Sequence, residues 1–227
     1  MKYPNDPEMR TSHETIYQSL YVQSRGRFRK DLTKCLRTGR SQRKPQRSSG
    51  STRGQIPGMV NISERPAEVE DRAVPGHWEG DLILGKEGKS FIGTLVERQT
   101  RFVMLLDLEG DRRAENLAKV MAEQITKLPK KLRKTLTWDQ GKEMSKHLSF
   151  SVSTEVEVYF CDPHSPWRRG SNENTNGLLR QYFPKGTDLA VHGQVELDKV
   201  AAKLNRRPRE TLGFRTPAEK LRGLVLR

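Results

Sequence analysis

Three carboxylates in this chain have types and spacing suited to phosphoryl transfer. Asp81 interrupts an apolar run, where a carboxylate is disfavoured unless it is paired or binds a cation. Asp139 closes the short stretch TLTWD, and Glu173 lies in the first turn of a helix that opens after Trp167-Arg-Arg-Gly170. Residues 140–172 separate these two acids, a gap of 33. Hard cations such as Mg²⁺ and Mn²⁺ take carboxylate and phosphate oxygens. Three carboxylates drawn from two strands and a helix can hold two such ions about 3.5–4 Å apart, an arrangement that performs in-line attack of water or a 3′-hydroxyl on a phosphodiester. Singly, each acid is better read as a turn, cap or helix-dipole residue. Glu79 shares a strand face with Asp81 and competes with it as first ligand. Asp107 and Asp162, near strand ends, read as structural, and His77 and His164 receive no role.

Phosphate chemistry also needs donors. Lys142 follows Asp139 by three residues, and Arg168 and Arg169 stand just ahead of the Glu173 helix. Asn172, Asn174, Asn176 and Arg180 lie along it, and Lys185 comes just after it. These are the expected DNA contacts. Trp167 suits stacking on a base or filling a core. Because water and a 3′-hydroxyl serve as nucleophiles, neither Tyr159 nor Tyr182 is needed to form a covalent link to DNA.

The elements that must position these groups follow from periodicity. Strands are expected at HWEGDLILG, FIGTLVERQ and RFVMLLDLE, joined by short polar turns into a meander. Ala114, Leu117, Ala118, Met121, Ile125 and Leu128 form a helical apolar stripe ending near Pro129. Further strands are expected at TLTWD and EVEVYFCD, with a helix around Lys142 to Leu148 between them. Helices then cover Ser171 to Phe183, Val195 to Asn205, and a stretch opened by the capping box of Thr216-Pro-Ala-Glu219. That order describes an α/β domain with a mixed sheet flanked by helices, which is the order of the ribonuclease-H-like architecture among others.

Composition sets the partners. The 227 residues carry a formal charge of +14, which favours polyanions. Between Ser24 and Gly54 the only acid is Asp31, set against Arg25, Arg27, Arg29, Lys30, Lys34, Arg37, Arg40, Arg43, Lys44, Arg47 and Arg53. The organisation expected is a short amphipathic helix in residues 1–23, a basic linker over 24–67, and a catalytic domain over 68–227. Cys35 and Cys161 make neither a disulfide framework nor a four-ligand zinc site, and no stretch reads as a signal peptide or membrane span. A cytoplasmic setting is expected.

The segments HWEGDLILG, TLVERQTRF, TWDQGKEM, VYFCDPHSPWRRGSNENTNGLLRQYFPKGTD and NRRPRETLGFRTPAE resemble, in order and spacing, the catalytic domain of bacterial insertion-sequence-30 transposases. The resemblance runs from about Ile56 to Leu221. It implies an integrase-type, ribonuclease-H-like core with Asp81, Asp139 and Glu173 as the acid triad on two Mg²⁺ or Mn²⁺ ions. It further implies transposon-end cleavage, strand transfer into double-stranded target DNA, and a homo-oligomer in a synaptic complex. Gln140 and Met144 depart from the Asn and Phe of many relatives. The resemblance leads to the expectation that most of the family's N-terminal helix-turn-helix region is absent, with TSHETIYQSLY resembling its tail. The competing expectations are a catalytically silent DNA-binding fragment and a nuclease acting on RNA:DNA hybrids.

Overall fold

The computed structural model describes residues 11–12, 15, 56–69, 73–161 and 170–226. The expected N-terminal helix falls almost wholly outside the described residues. The basic tract, Asp162, His164, Trp167, Arg168 and Arg169 fall outside them entirely. The chain divides into two units, Met1–Ser49 and Gly50–Arg227, and the sheet belongs to the second.

Five strands form one sheet: β1 (His77–Leu84), β2 (Phe91–Glu97), β3 (Val103–Asp107), β4 (Thr135–Trp138) and β5 (Glu157–Phe160), in the order β3-β2-β1-β4-β5. The meander β1-β2-β3 is antiparallel, whereas β4 and β5 join β1 in parallel. Parallel neighbours need crossover helices, and these are α1 (Ala114–Ile125) and α2 (His147–Thr154). They cover one face of the sheet, where Leu95, Leu106, Leu136, Trp138 and Phe160 pack with Leu117, Met121, Ile125 and Phe150. The other face meets α3 (Gly170–Leu179) and α4 (Gln194–Asn205), burying Ile83, Ile92, Val96, Val103 and Leu105 against Leu179, Leu197, Val200 and Leu204. Each fully buried aliphatic side chain contributes about 1.5–3 kcal/mol, so the two layers fix the sheet from both sides. The last helix, α5 (Pro217–Val225), opens with the expected capping box: Thr216 Oγ1 accepts the Glu219 N–H at 3.1 Å, and Glu219 Oε2 accepts the Thr216 N–H at 2.8 Å.

The outer strands are covered. Along β3, Asn205 donates to the Val103 carbonyl and accepts its N–H, both at 2.8 Å. Gln194 accepts from Asp107 N–H and donates to the Leu105 carbonyl, both at 2.9 Å. Beyond β5, Asn61 bridges Phe160, whose N–H donates to the Val60 carbonyl at 2.9 Å.

Four expectations need correction. The expected basic linker runs to residue 67, but Ile56 and Ile62 are buried, so residues 56–67 pack with the folded domain. The helix expected over Lys142 to Leu148 splits into a 3₁₀ turn at Lys142–Met144 and α2, because Lys146 is non-helical (φ −95°, ψ 21°). α2 ends at Glu155, whose left-handed φ of 60° delays β5 to Glu157. α3 stops at Leu179 rather than Phe183, and residues 180–183 form turns ahead of Pro184.

Candidate active site

The geometry of the acidic end of the sheet starts from strand register. β1 and β4 run parallel with His77 opposite Thr135 and Glu79 opposite Thr137. Asp81 lies two residues beyond Glu79 on β1, and Asp139 two residues beyond Thr137, just past the end of β4, so by alternation each continues the sheet face of its paired neighbour. Asp81 is half-buried. Its Oδ1 accepts the Leu82 N–H at 2.9 Å, and its Oδ2 accepts Asn176 Nδ2 at 2.9 Å. Asp139, just past β4, closes an Asx turn by accepting the Gly141 N–H at 3.0 Å.

Helix α3 is pinned to this end by its first turn. Glu79 is fully buried; its Oε1 accepts Arg98 Nη1 at 2.6 Å, and its Oε2 accepts the Asn172 N–H at 3.0 Å. The latter is one of the amides a helix start leaves without an internal partner, and a carboxylate there also suits the helix dipole. Thr94, opposite Asp81 on β2, donates through Oγ1 to Asn172 Oδ1 and to the Asp81 carbonyl, both at 3.1 Å. Arg101 reaches Ser171 Oγ. Glu173 is exposed and lies one turn before Asn176, the residue that holds Asp81.

Glu79 is thereby committed to Arg98 and α3. Asp107 accepts the Glu109 N–H in a turn. His77 is buried, shares a hydrogen bond with Thr135 Oγ1 at 2.8 Å, and is pushed down to about 4, first by burial and then by Lys134. Tyr159 is buried and donates to Glu157, and burial raises its phenol to about 12.

The expected DNA contacts separate into groups. Lys142, Asn174 and Lys185 are exposed. Asn172 is corrected: it is 1% exposed and anchors α3, so it does not face solvent. Arg180 is half-buried and donates to the Leu84 carbonyl at 3.0 Å and the Phe183 carbonyl at 3.4 Å, with burial lowering its pKa. Asn176 is likewise half-buried against Asp81. Thr94, Arg98 and the anchoring role of Asn172 were missed. Only Thr94 carried a usable signal, because the short β1–β2 turn puts it opposite Asp81.

Oxygen donors of the kind a hard cation takes are present beside β1: the Asp81 carboxylate, and Asn176 Oδ1, which is buried and lacks a hydrogen-bond partner among the described residues. As the side chains stand, no three His, Cys, Asp or Glu among the described residues gather closely enough to hold a metal. No described helix is long and apolar enough to cross a membrane.

Residues 71–166 match the integrase core domain family. The chain is 52% identical over 219 residues to the transposase for insertion sequence element IS1086 of Cupriavidus metallidurans, covering 96% of this chain and 64% of that protein. It is 48% identical over 228 residues to transposase InsI for insertion sequence element IS30C of Escherichia coli, covering 98% and 59%. It is 41% identical over 216 residues to the transposase for insertion sequence element IS4351 of Bacteroides fragilis, covering 94% and 64%. The chain thus spans roughly three-fifths of the length of these curated relatives. In fold it is similar to a chain of the simian T-cell lymphotropic virus intasome solved in complex with PP2A regulatory subunit B56 gamma. That match has a TM-score of 0.52 at 17% identity and covers 64% of this chain and 54% of that one. The expected integrase-type, ribonuclease-H-like fold holds.

Proposed function

We propose that this chain, which carries a match to the integrase core domain and is about half identical to insertion-sequence-30 transposases, is a DNA transposase, hydrolysing a phosphodiester at transposon ends and joining the freed 3′-hydroxyl to target DNA. The observation that supports this reading is the parallel pairing of β1 with β4 just ahead of Asp81 and Asp139, together with the Asn176–Asp81 bond that ties the helix carrying Glu173 to β1.

In this reading Asp81, Asp139 and Glu173 hold two divalent cations, Mg²⁺ or Mn²⁺. Bound there, the ions supply activation of the nucleophile and neutralisation of charge on the leaving oxygen. The protein's own groups do the positioning. Asn176 orients Asp81, the Gly141 N–H orients Asp139, and the Glu79–Arg98 pair anchors the first turn of α3, the helix that carries Glu173. Lys142, Asn174, Lys185, Arg168 and Arg169 take phosphates of double-stranded DNA. A homo-oligomer bridges two transposon ends, and the work is done in the cytoplasm.

The test is strand transfer with pre-cut ends of the parent element in Mg²⁺ or Mn²⁺, comparing wild type with Asp139→Asn and Glu173→Gln. Loss of activity in both variants, with DNA binding retained, is the expected result. A folded, DNA-binding wild-type chain that neither nicks nor transfers would favour the silent-fragment reading. Cleavage confined to RNA:DNA hybrids would favour the nuclease.

A further inference from the structure

The motif NRRPRETLGFR connects α4 to α5 and takes no part in holding the carboxylates. It carries Arg206, Arg207, Arg209 and Arg215 against one acid, Glu210. Arg206 and Arg215 are exposed, and Arg207 and Arg209 are half-buried. None of the four forms an ion pair with a described carboxylate. Glu219, which feels the charges of Arg215 and Arg222, is engaged in the α5 cap. Arg209 Nε is buried without a hydrogen-bond partner among the described residues, and burial followed by the charge of Arg207 lowers its pKa.

These like charges are held in place by the backbone. The Arg209 N–H donates to the Arg215 carbonyl at 3.1 Å, and the Phe214 N–H donates to the Arg209 carbonyl at 2.9 Å. Arg207 donates to Tyr182 Oη at 3.3 Å. Phe214 takes a left-handed φ of 60°, a conformation that costs an L-residue about 1 kcal/mol, and the residue is 56% exposed. A strained, exposed aromatic set among arginines without counter-charge matches a surface built for a polyanion with apolar sugar faces.

We propose that the α4–α5 turn is a second DNA-binding site: Arg206, Arg207 and Arg215 grip backbone phosphates, and Phe214 packs on the adjoining deoxyribose. The site rests on the DNA reading above and is separate from the carboxylate end. Tyr182, which Arg207 touches, lies three residues past the end of α3, while Glu173 lies near its start. From residue 173 to 179 the helix rises about 9 Å, so a duplex lying along α3 reaches both ends within a few phosphates.

The experiment is duplex binding by the full chain, followed by fluorescence anisotropy over a salt series. The Arg206→Gln/Arg207→Gln/Arg215→Gln variant is expected to flatten the slope of log K against log salt by about 2–3, because each lost phosphate contact removes about 0.9. Phe214→Ser lowers affinity severalfold at an unchanged slope, since an apolar contact releases no counterions. Arg206→Gln and Arg215→Gln, each at an exposed position, serve singly if the triple variant does not fold, and each flattens the slope by about 1. A folded variant with the wild-type slope and affinity overturns the site. Failure of the wild-type chain to bind any duplex overturns the DNA reading as a whole.

Discussion

Gly80 lies under the indole of Trp138, on the sheet face opposite Asp81 and Asp139. A Cβ at residue 80 would stand closer to the Trp138 ring than real Cβ atoms ever come to another atom. Each of these residues immediately precedes one of the two aspartates, and Trp138 is 1% exposed in a packed core. The ring fits only because residue 80 has no side chain, so this contact sets how closely β1 and β4 approach at the level of the carboxylates.

Gly80→Ala is therefore expected to lower stability by about 1–3 kcal/mol through overpacking. It should also reduce strand transfer without weakening DNA binding. Trp138→Phe in the same chain relieves the collision, and a double-mutant cycle in urea should return a favourable coupling between the two changes. Additive losses would show that the ring and the glycine do not constrain each other.

Two acids on one strand face should respond in opposite ways. Glu79→Gln leaves Arg98 buried without its counter-charge, and breaking such a pair costs about 3–5 kcal/mol. Asp81→Asn keeps the shape, and Asn176 can flip its amide to present its unpartnered oxygen to the new Nδ2. That variant should melt within about 1 kcal/mol of wild type, as half-exposed isosteric changes do, while losing metal-dependent cleavage. Thermal melts beside nicking assays separate the two, and equal destabilisation would contradict the division of roles.

Burial holds His77 neutral down to about pH 4, whereas the imidazole of an unfolded chain takes up its proton near 6.5. As pH falls through that window the unfolded state binds the proton first, so stability is undiminished above 6.5 and drains away toward 4. The loss is of order 3 kcal/mol. Urea midpoints between pH 7 and pH 4.5 should drop in the wild type and drop less in His77→Asn. Parallel curves for the two proteins would assign the acid sensitivity to other groups.

The strands and helices were legible because their signals are local. The β1-β2-β3 meander reads as alternating runs with short turns, and α1 reads as a stripe of Leu117, Ala118, Met121 and Ile125. The α5 capping box was readable from four residues. What escaped was set by tertiary context. Nothing near Ile56 or Ile62 distinguishes a linker from a strap over β5 until the Asn61–Phe160 bridge is seen. Asn172 reads as a polar helix residue like Asn174, yet the buried Glu79 and Thr94 draw it inward. The spacing of Asp139 and Glu173 was plain from sequence, but that β4 runs parallel beside β1, ahead of Asp139 and Asp81, is something only the folded sheet supplies.

The side-chain amides of Asn205 and Gln194 have a consequence for how copies of this chain can meet. They occupy backbone groups of β3 that a further strand would need, as Val60 and Asn61 do beside Phe160 on β5. With β3 engaged along its length and β5 engaged at Phe160, strand addition at these margins is disfavoured, the route by which exposed edges lead to runaway polymerisation. Copies of this chain at high local density are thereby steered toward contacts between side chains, which come apart again, and away from a continuous cross-molecular sheet.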